Sequence, residues 1–102
     1  SLDRLFLMFP DPWPKARHAK RRFVHPGNLP LVARVLKPGA EWRIASDDPI
    51  YQAWVHEVMA AQSFFAIAAS DTIRPSDWPL TRYEAKAVKA GRKPVYWRFI
   101  RL

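Results

Sequence analysis

The 102-residue sequence contains no cysteine, so it has neither a disulfide framework nor a thiolate metal site, and it suits a reducing compartment. It also lacks any apolar run near the roughly 20 residues that a membrane-crossing helix needs. Its first residues, Ser1-Leu2-Asp3-Arg4, do not have the charged-then-apolar layout of a secretory signal. A soluble, cytoplasmic protein without a membrane partner is the expectation. His18, His25 and His56 are not spaced as metal ligands, so no metal site is expected. Acidic residues are scarce as well, nine against seventeen Lys and Arg.

That imbalance gives a net charge of +8, which favours a polyanionic partner, with nucleic acid ahead of an anionic membrane surface. The basic residues are clustered. Between Lys15 and Arg22, five of eight residues are Lys or Arg, a sixth is His18, and no acid interrupts them. A second basic stretch runs from Arg82 to Arg101, with Glu84 its only acid. Five Trp, six Phe and three Tyr supply core material, so the chain is a folded one. Its length allows one domain at most, and a domain this small keeps a thin stability margin.

Leu5 to Phe9 is a continuous apolar run between charge and proline, which reads as a strand buried on both faces of a parallel sheet. Three prolines between Pro10 and Pro14 remove donors and fix φ, so a stiff loop leaves the end of that strand. In open α/β sheets, ligands bind where such loops leave the strands' C-terminal ends. Leu31, Val32, Val35 and Leu36 have helical spacing, with Asn28 as cap and Lys37-Pro38-Gly39 as stop. Trp42 to Ala45 reads as a second buried strand. Asp48-Pro49 opens a helix whose apolar stripe is Tyr51, Trp54, Val55, Val58 and Met59. Phe64 to Ala68 and Val95 to Ile100 read as two further strands, and Tyr83 to Ala90 as a helix in the intervening stretch. The order is that of an α/β fold with a mostly parallel sheet.

Several residues could carry chemistry. Asp11 is a carboxylate on a proline-stiffened loop at a strand's end, where a positioning group would be preorganised; the alternative is a structural loop with Asp11 capping a turn and Trp13 buried. The run from Arg17 through His18, Ala19, Lys20 and Arg21 to Arg22 suits phosphate contacts, against the alternative of a solvated helix face. Asp48 is accounted for as a cap, which leaves Asp47 beside the same crevice as Asp11 with no obvious structural duty. Thr81 and Glu84 form a capping-box pattern, and on their own they read as no more than that.

Together these segments resemble the tRNA (guanine-N7-)-methyltransferase family. PDPWPKARHAKRR at Pro10–Arg22 resembles that family's signature, a PDPWPK followed by a basic RHxKRR run. SDDPIY at Ser46–Tyr51 is similar to its strand-end Asp with a Tyr four residues on. Pro79 to Glu84, with Lys86, Gly91 and Phe99, resembles its C-terminal TxYExK and closing strand. The resemblance implies α/β architecture, the C-terminal half of a class I, Rossmann-like methyltransferase, with a mostly parallel sheet and an antiparallel last strand. Residues 1–102 would then be the C-terminal part of a single methyltransferase domain. It implies S-adenosylmethionine as cofactor, tRNA as partner, and methyl transfer to guanine N7.

It further implies that Asp11 contacts both methyl donor and target base. Lys15, Asp47, Thr81, Arg82, Tyr83 and Glu84 would contact substrate, and Arg17, His18, Ala19, Lys20, Arg21 and Arg22 would contact RNA. The family binds its cofactor largely through an N-terminal glycine-rich loop, whereas this chain has Gly27, Gly39 and Gly91 and no G-x-G. The chain by itself is therefore expected to be inactive, and its half-sheet to self-associate. The rival reading is a non-catalytic basic nucleic-acid-binding module.

Overall fold

A computed structural model describes residues 2–13, 15–78 and 91–102. Among the described residues, four strands and two α-helices follow in the order β1 (Leu2–Met8), α1 (Leu29–Val35), β2 (Leu36–Ser46), α2 (Pro49–Ala60), β3 (Phe65–Asp71) and β4 (Val95–Arg101). The basic run forms a 3-10 helix, Ala16–Arg21, between β1 and α1. The proposed helix at Tyr83 to Ala90 lies outside the described residues.

The sheet order is β1-β2-β4-β3. β1 and β2 are parallel, and β4 runs antiparallel to both β2 and β3. Three strands therefore share one direction and the last opposes them, the mostly parallel arrangement with an antiparallel last strand expected above. Between the register pairs Leu2↔Leu36 and Arg4↔Glu41 the β2 strand bulges around Gly39, which has a positive φ of 85°. The Lys37-Pro38-Gly39 stop thus interrupts the pairing, while the strand itself begins directly after α1.

Alternation along the strands sorts side chains onto two faces. Leu5, Leu7, Trp42, Ile44, Trp97 and Phe99 meet Val32, Tyr51, Val55 and Val58 from the two helices in one apolar cluster. The other face carries Phe6, Met8, Arg43, Ala45, Tyr96 and Arg98. Trp78 folds over part of it, edge-on to Phe6 and to Tyr96. β1 is consequently not buried on both faces as its composition suggested: it is an edge strand, with Leu2 46% and Phe6 37% exposed. A continuous apolar run reports strand propensity, and burial depends on which neighbours arrive.

The two helix starts differ. Asp48 accepts from Tyr51 N at 2.9 Å with Pro49 in the first turn, as its position predicts. Asn28 makes no capping bond; its Nδ2 donates instead to Phe23 O at 2.9 Å, bracing the turn that precedes α1.

Candidate functional site

The strand directions bring Asp11 and Asp47 to one end of the sheet. β1, β2 and β3 all end there, and β4 begins there: Met8 pairs with Ala45, Val95 with Ser46, and Asp71 with Tyr96. Phe9 N donates to Ala45 O at 2.7 Å, carrying the pairing one residue past β1. Asp11 thus leaves β1 beside the point where Asp47 leaves β2.

The loop around Asp11 is held in an unusual conformation. Phe9 has φ 51° and Trp13 φ 43°, left-handed values that are costly for aromatic residues and persist only where the surroundings impose them. Asp11 is exposed, and its Oδ1 accepts from Trp13 N at 3.2 Å, an Asx turn. Nothing among the described residues takes its other oxygen. One oxygen of Asp11 therefore shapes the turn, as the structural alternative has it.

The basic run divides in two. Arg17, Lys20 and Arg21 are exposed, and His18 and Ala19 are half-buried. Trp13 packs against the inside of the 3-10 turn, edge-on to His18 at 5.5 Å and under the Arg21 guanidinium at 4.9 Å. Arg22 differs from its neighbours. It is 5% exposed, and its guanidinium donates to Pro12 O from Nε at 3.2 Å and to Trp13 O from Nε at 3.2 Å and Nη2 at 3.0 Å. It also lies over the Trp54 ring at 4.7 Å. The resemblance placed Arg22 with the RNA contacts; the structure turns its side chain inward, onto the Pro12 and Trp13 carbonyls. Every Lys and Arg in such a run looks alike in sequence, and only burial separates them.

Asp47, to which the sequence gave no structural duty, has one: it accepts from Arg92 Nε. Gln52 of α2 donates to Ser46 O at 2.8 Å and to Lys93 O at 2.9 Å, tying the end of β2 to the residues that enter β4. Neither Arg92 nor Gln52 was singled out from the sequence, because long-range pairing across forty residues leaves no local signal. Lys15 is exposed beside the loop. Thr81, Arg82, Tyr83 and Glu84 lie outside the described residues.

This chain resembles proteins of known type along nearly its whole length. Residues 1–96 match a family model described as "Putative methyltransferase". The chain belongs to this methyltransferase family. A protein of Granulibacter bethesdensis named tRNA (guanine-N(7)-)-methyltransferase is 71% identical over 100 residues, which are 98% of this chain and 44% of that relative. Proteins of the same name from Paramagnetospirillum magneticum and Azorhizobium caulinodans are 51% and 52% identical, over 99% and 100% of this chain and 43% and 46% of theirs. The methyltransferase chain thus spans less than half the length of the curated relatives it matches.

Two negative observations bound the site. Among the described residues of this methyltransferase chain, no group of three or more His, Asp or Glu is placed to hold a metal ion, and no helix is long and apolar enough to cross a membrane. An apolar cleft of about 260 Å³ between α2 and strands β3 and β4, lined by His56, Met59, Gln62, Ile67 and Phe99 among others, contains none of the candidate residues.

Proposed function

We propose that this chain is the RNA-facing part of a tRNA (guanine-N7-)-methyltransferase, the C-terminal portion of a single methyltransferase domain, acting on tRNA with S-adenosylmethionine as methyl donor. The observation that carries the reading is the free oxygen of Asp11, held on a strained loop at the sheet edge it shares with Asp47 and next to the exposed Arg17, Lys20 and Arg21. The names of the relatives point the same way.

The described residues fit one contact to the methyl donor. Asp11 offers a carboxylate compatible with a sulfonium charge. Gly39 sits in a β-bulge and Gly91 before β4, so neither forms a glycine-rich turn opening a helix. The donor, when bound, supplies an electrophilic methyl group. Guanine N7 bears a lone pair and no proton, so the N7–carbon bond forms as the carbon–sulfur bond breaks and no general base is required. What this chain's residues contribute is orientation. Carboxylates at Asp11, Asp47 and Glu84 between them supply acceptors for the guanine N1 and N2 donors and negative charge to suit the positive charge that the methylated base acquires. Asp47, neutralised by Arg92, holds the adjacent wall together and offers its remaining acceptor capacity to the base. Lys15 and the segment Thr81, Arg82, Tyr83 and Glu84 complete the substrate contacts. Arg17, Lys20 and Arg21, with His18 and Ala19 between them, follow the RNA backbone. The target base leaves its stack to reach the edge.

The test is methylation of unmodified tRNA by the complete protein, read as N7-methylguanosine by mass spectrometry after nuclease digestion. In Asp11→Ala, turnover is expected to fall on the order of 100-fold or more with tRNA affinity retained. A folded Asp11→Ala protein with near-normal turnover would sink the assignment. Tight tRNA binding by the wild-type protein without any methyl transfer would favour the rival, a non-catalytic RNA-binding module.

A further inference from the structure

We infer that Arg22 is a positioning residue for the Asp11 loop, acting through the backbone of Pro12 and Trp13 and not through RNA. The need for it follows from the loop's composition. Pro10, Pro12 and Pro14 contribute carbonyl acceptors and no N–H donors, so the segment cannot satisfy its own carbonyls. The left-handed φ of Trp13 turns the chain so that the Pro12 and Trp13 carbonyls converge on one group. Arg22 meets both: its Nε–H is shared between Pro12 O and Trp13 O at 3.2 Å each, and its Nη2 donates to Trp13 O at 3.0 Å, in a planar geometry that a guanidinium holds in advance.

The guanidinium is itself fixed from behind. Trp54 of α2 lies under the guanidinium, and the Trp54 Nε1 donates to Val24 O, two residues beyond Arg22. Val24 N in turn donates to the buried Tyr51 hydroxyl at 3.2 Å. Asp11 is thereby linked through Pro12, Trp13, Arg22 and Trp54 to α2, the helix capped by Asp48, the residue after Asp47. One rigid element sets the positions of both acids. Arg22 also closes the 3-10 turn through its backbone, donating from N to Ala19 O at 3.1 Å, so the exposed Arg17, Lys20 and Arg21 are hung from the same joint. The guanidinium has no carboxylate partner among the described residues; carbonyl dipoles and an aromatic face compensate its charge. A charge buried on such terms is costly unless the geometry it enforces matters.

This inference rests on Asp11 being the loop's functional acid, and its test separates the two claims. The complete protein carrying Arg22→Lys keeps the charge and has donors to spare, but it loses the planar guanidinium that holds the Nε and Nη2 contacts while lying over Trp54. Three measurements are made: hydrogen exchange of the peptide spanning residues 9–22, turnover at saturating tRNA, and the salt dependence of tRNA binding. We expect faster exchange in that peptide, turnover reduced on the order of 10- to 100-fold, and a salt slope equal to wild type. Lys20→Ala serves as the comparator for the slope, which it should lower by about 0.7 to 0.9. Arg22→Gln, which removes the charge but retains a donor, guards against a folding artefact and should show the same exchange change. A slope change in Arg22→Lys matching that of Lys20→Ala would make Arg22 a phosphate contact and overturn the inference. Unchanged exchange, or faster exchange with normal turnover, would overturn it as well. If the wild-type protein does not methylate tRNA, the proposed function fails, and unchanged exchange in Arg22→Lys would still refute the clamp independently.

Discussion

The two faces of the sheet meet the same four strands with different chemistry. On the helix-covered face, Trp42, Ile44, Val55 and Trp97 are fully buried in apolar contact, and the buried Tyr51 hydroxyl is matched to Val24 N. On the opposite face the corresponding central positions are Arg43 and Arg98, directly across from one another in the β2–β4 register. Arg43 is 2% exposed. It pairs with Glu41 at 2.7 Å and with Asp77 at 2.9 Å, and lies against Phe6 and Trp78. Its Nη1 and the Nε of Arg98 are buried without an acceptor among the described residues, whereas the helix face leaves only the Trp42 indole nitrogen so. The helix face is thus organised by apolar packing. The other is organised by charge, with donors to spare. The candidate site lies where both faces end, so its loops are braced by each.

The largest effect that would sharpen this contrast is expected from Arg43→Ala. It would leave Glu41 and Asp77 without their cation and remove the support under Phe6 and Trp78. Breaking a fully buried pair costs about 3–5 kcal/mol, but Asp77 is 62% exposed and can be rehydrated, so about 2–3 kcal/mol is expected here. Denaturant unfolding of the complete protein measures it. A loss below about 0.5 kcal/mol, the usual range for a surface change, would mean that charge does not organise this face.

Sequence reasoning read the first face well and the second poorly, for a physical reason. Helix caps and apolar stripes are local, so Asp48, Pro49 and the run Tyr51 to Met59 could be placed by spacing alone. The strands at Leu5–Phe9, Phe64–Ala68 and Val95–Ile100 were found within about three residues, since aromatic and aliphatic runs mark them; the one at Trp42–Ala45 was found only in its second half, because it begins at Leu36, in what read as the end and stop of the preceding helix. What was not legible is pairing between distant residues: Asp47 with Arg92, Arg43 with Asp77, and Arg22 with the Pro12 and Trp13 carbonyls. The stiff loop around Asp11 was legible because its prolines are local. The inward turn of Arg22 was not, because nothing among the five Lys and Arg between Lys15 and Arg22 says which one the fold needs.

A middle-sized effect is expected on the helix face from Tyr51→Phe. The change leaves the buried Val24 N–H without an acceptor, at a cost of about 1–2 kcal/mol near neutral pH. Burial pushes the Tyr51 phenol above its ordinary value of 10.0, against smaller lowering effects of the Val24 hydrogen bond and the Arg22 charge. The folded value exceeds the unfolded one, so this contribution is intact below about pH 10 and is lost as the pH climbs through the raised folded value. Wild type should therefore lose stability in alkali more steeply than Tyr51→Phe, and the gap between them should narrow above about pH 10. Parallel alkaline profiles for the two proteins would count against Tyr51 as a desolvated group matched only to Val24 N.

The smallest effect, and the one whose sign matters most, is expected from Arg98→Leu. Arg98 sits across from a second arginine whose two bound acids are already engaged, and like charges directly opposite on a sheet destabilise it. Its Nε is buried without an acceptor among the described residues, a desolvated donor that stabilises nothing. Leucine keeps much of the apolar stem that lies along the sheet and discards both liabilities. On these grounds Arg98→Leu should leave the complete protein unchanged or more stable by about 0.5–1 kcal/mol. The comparison is Tm and denaturant midpoint against wild type at neutral pH. A clear loss of stability would break the contrast between the faces, because it would mean that an acid from beyond the described residues meets Arg98 there. Such a loss should then shrink as the pH is lowered through the carboxylate range, since protonating the stranded acid removes the cost of burying it unpaired. A loss that does not vary with pH would instead trace to packing of the arginine stem, and the second face would be apolar in function as well.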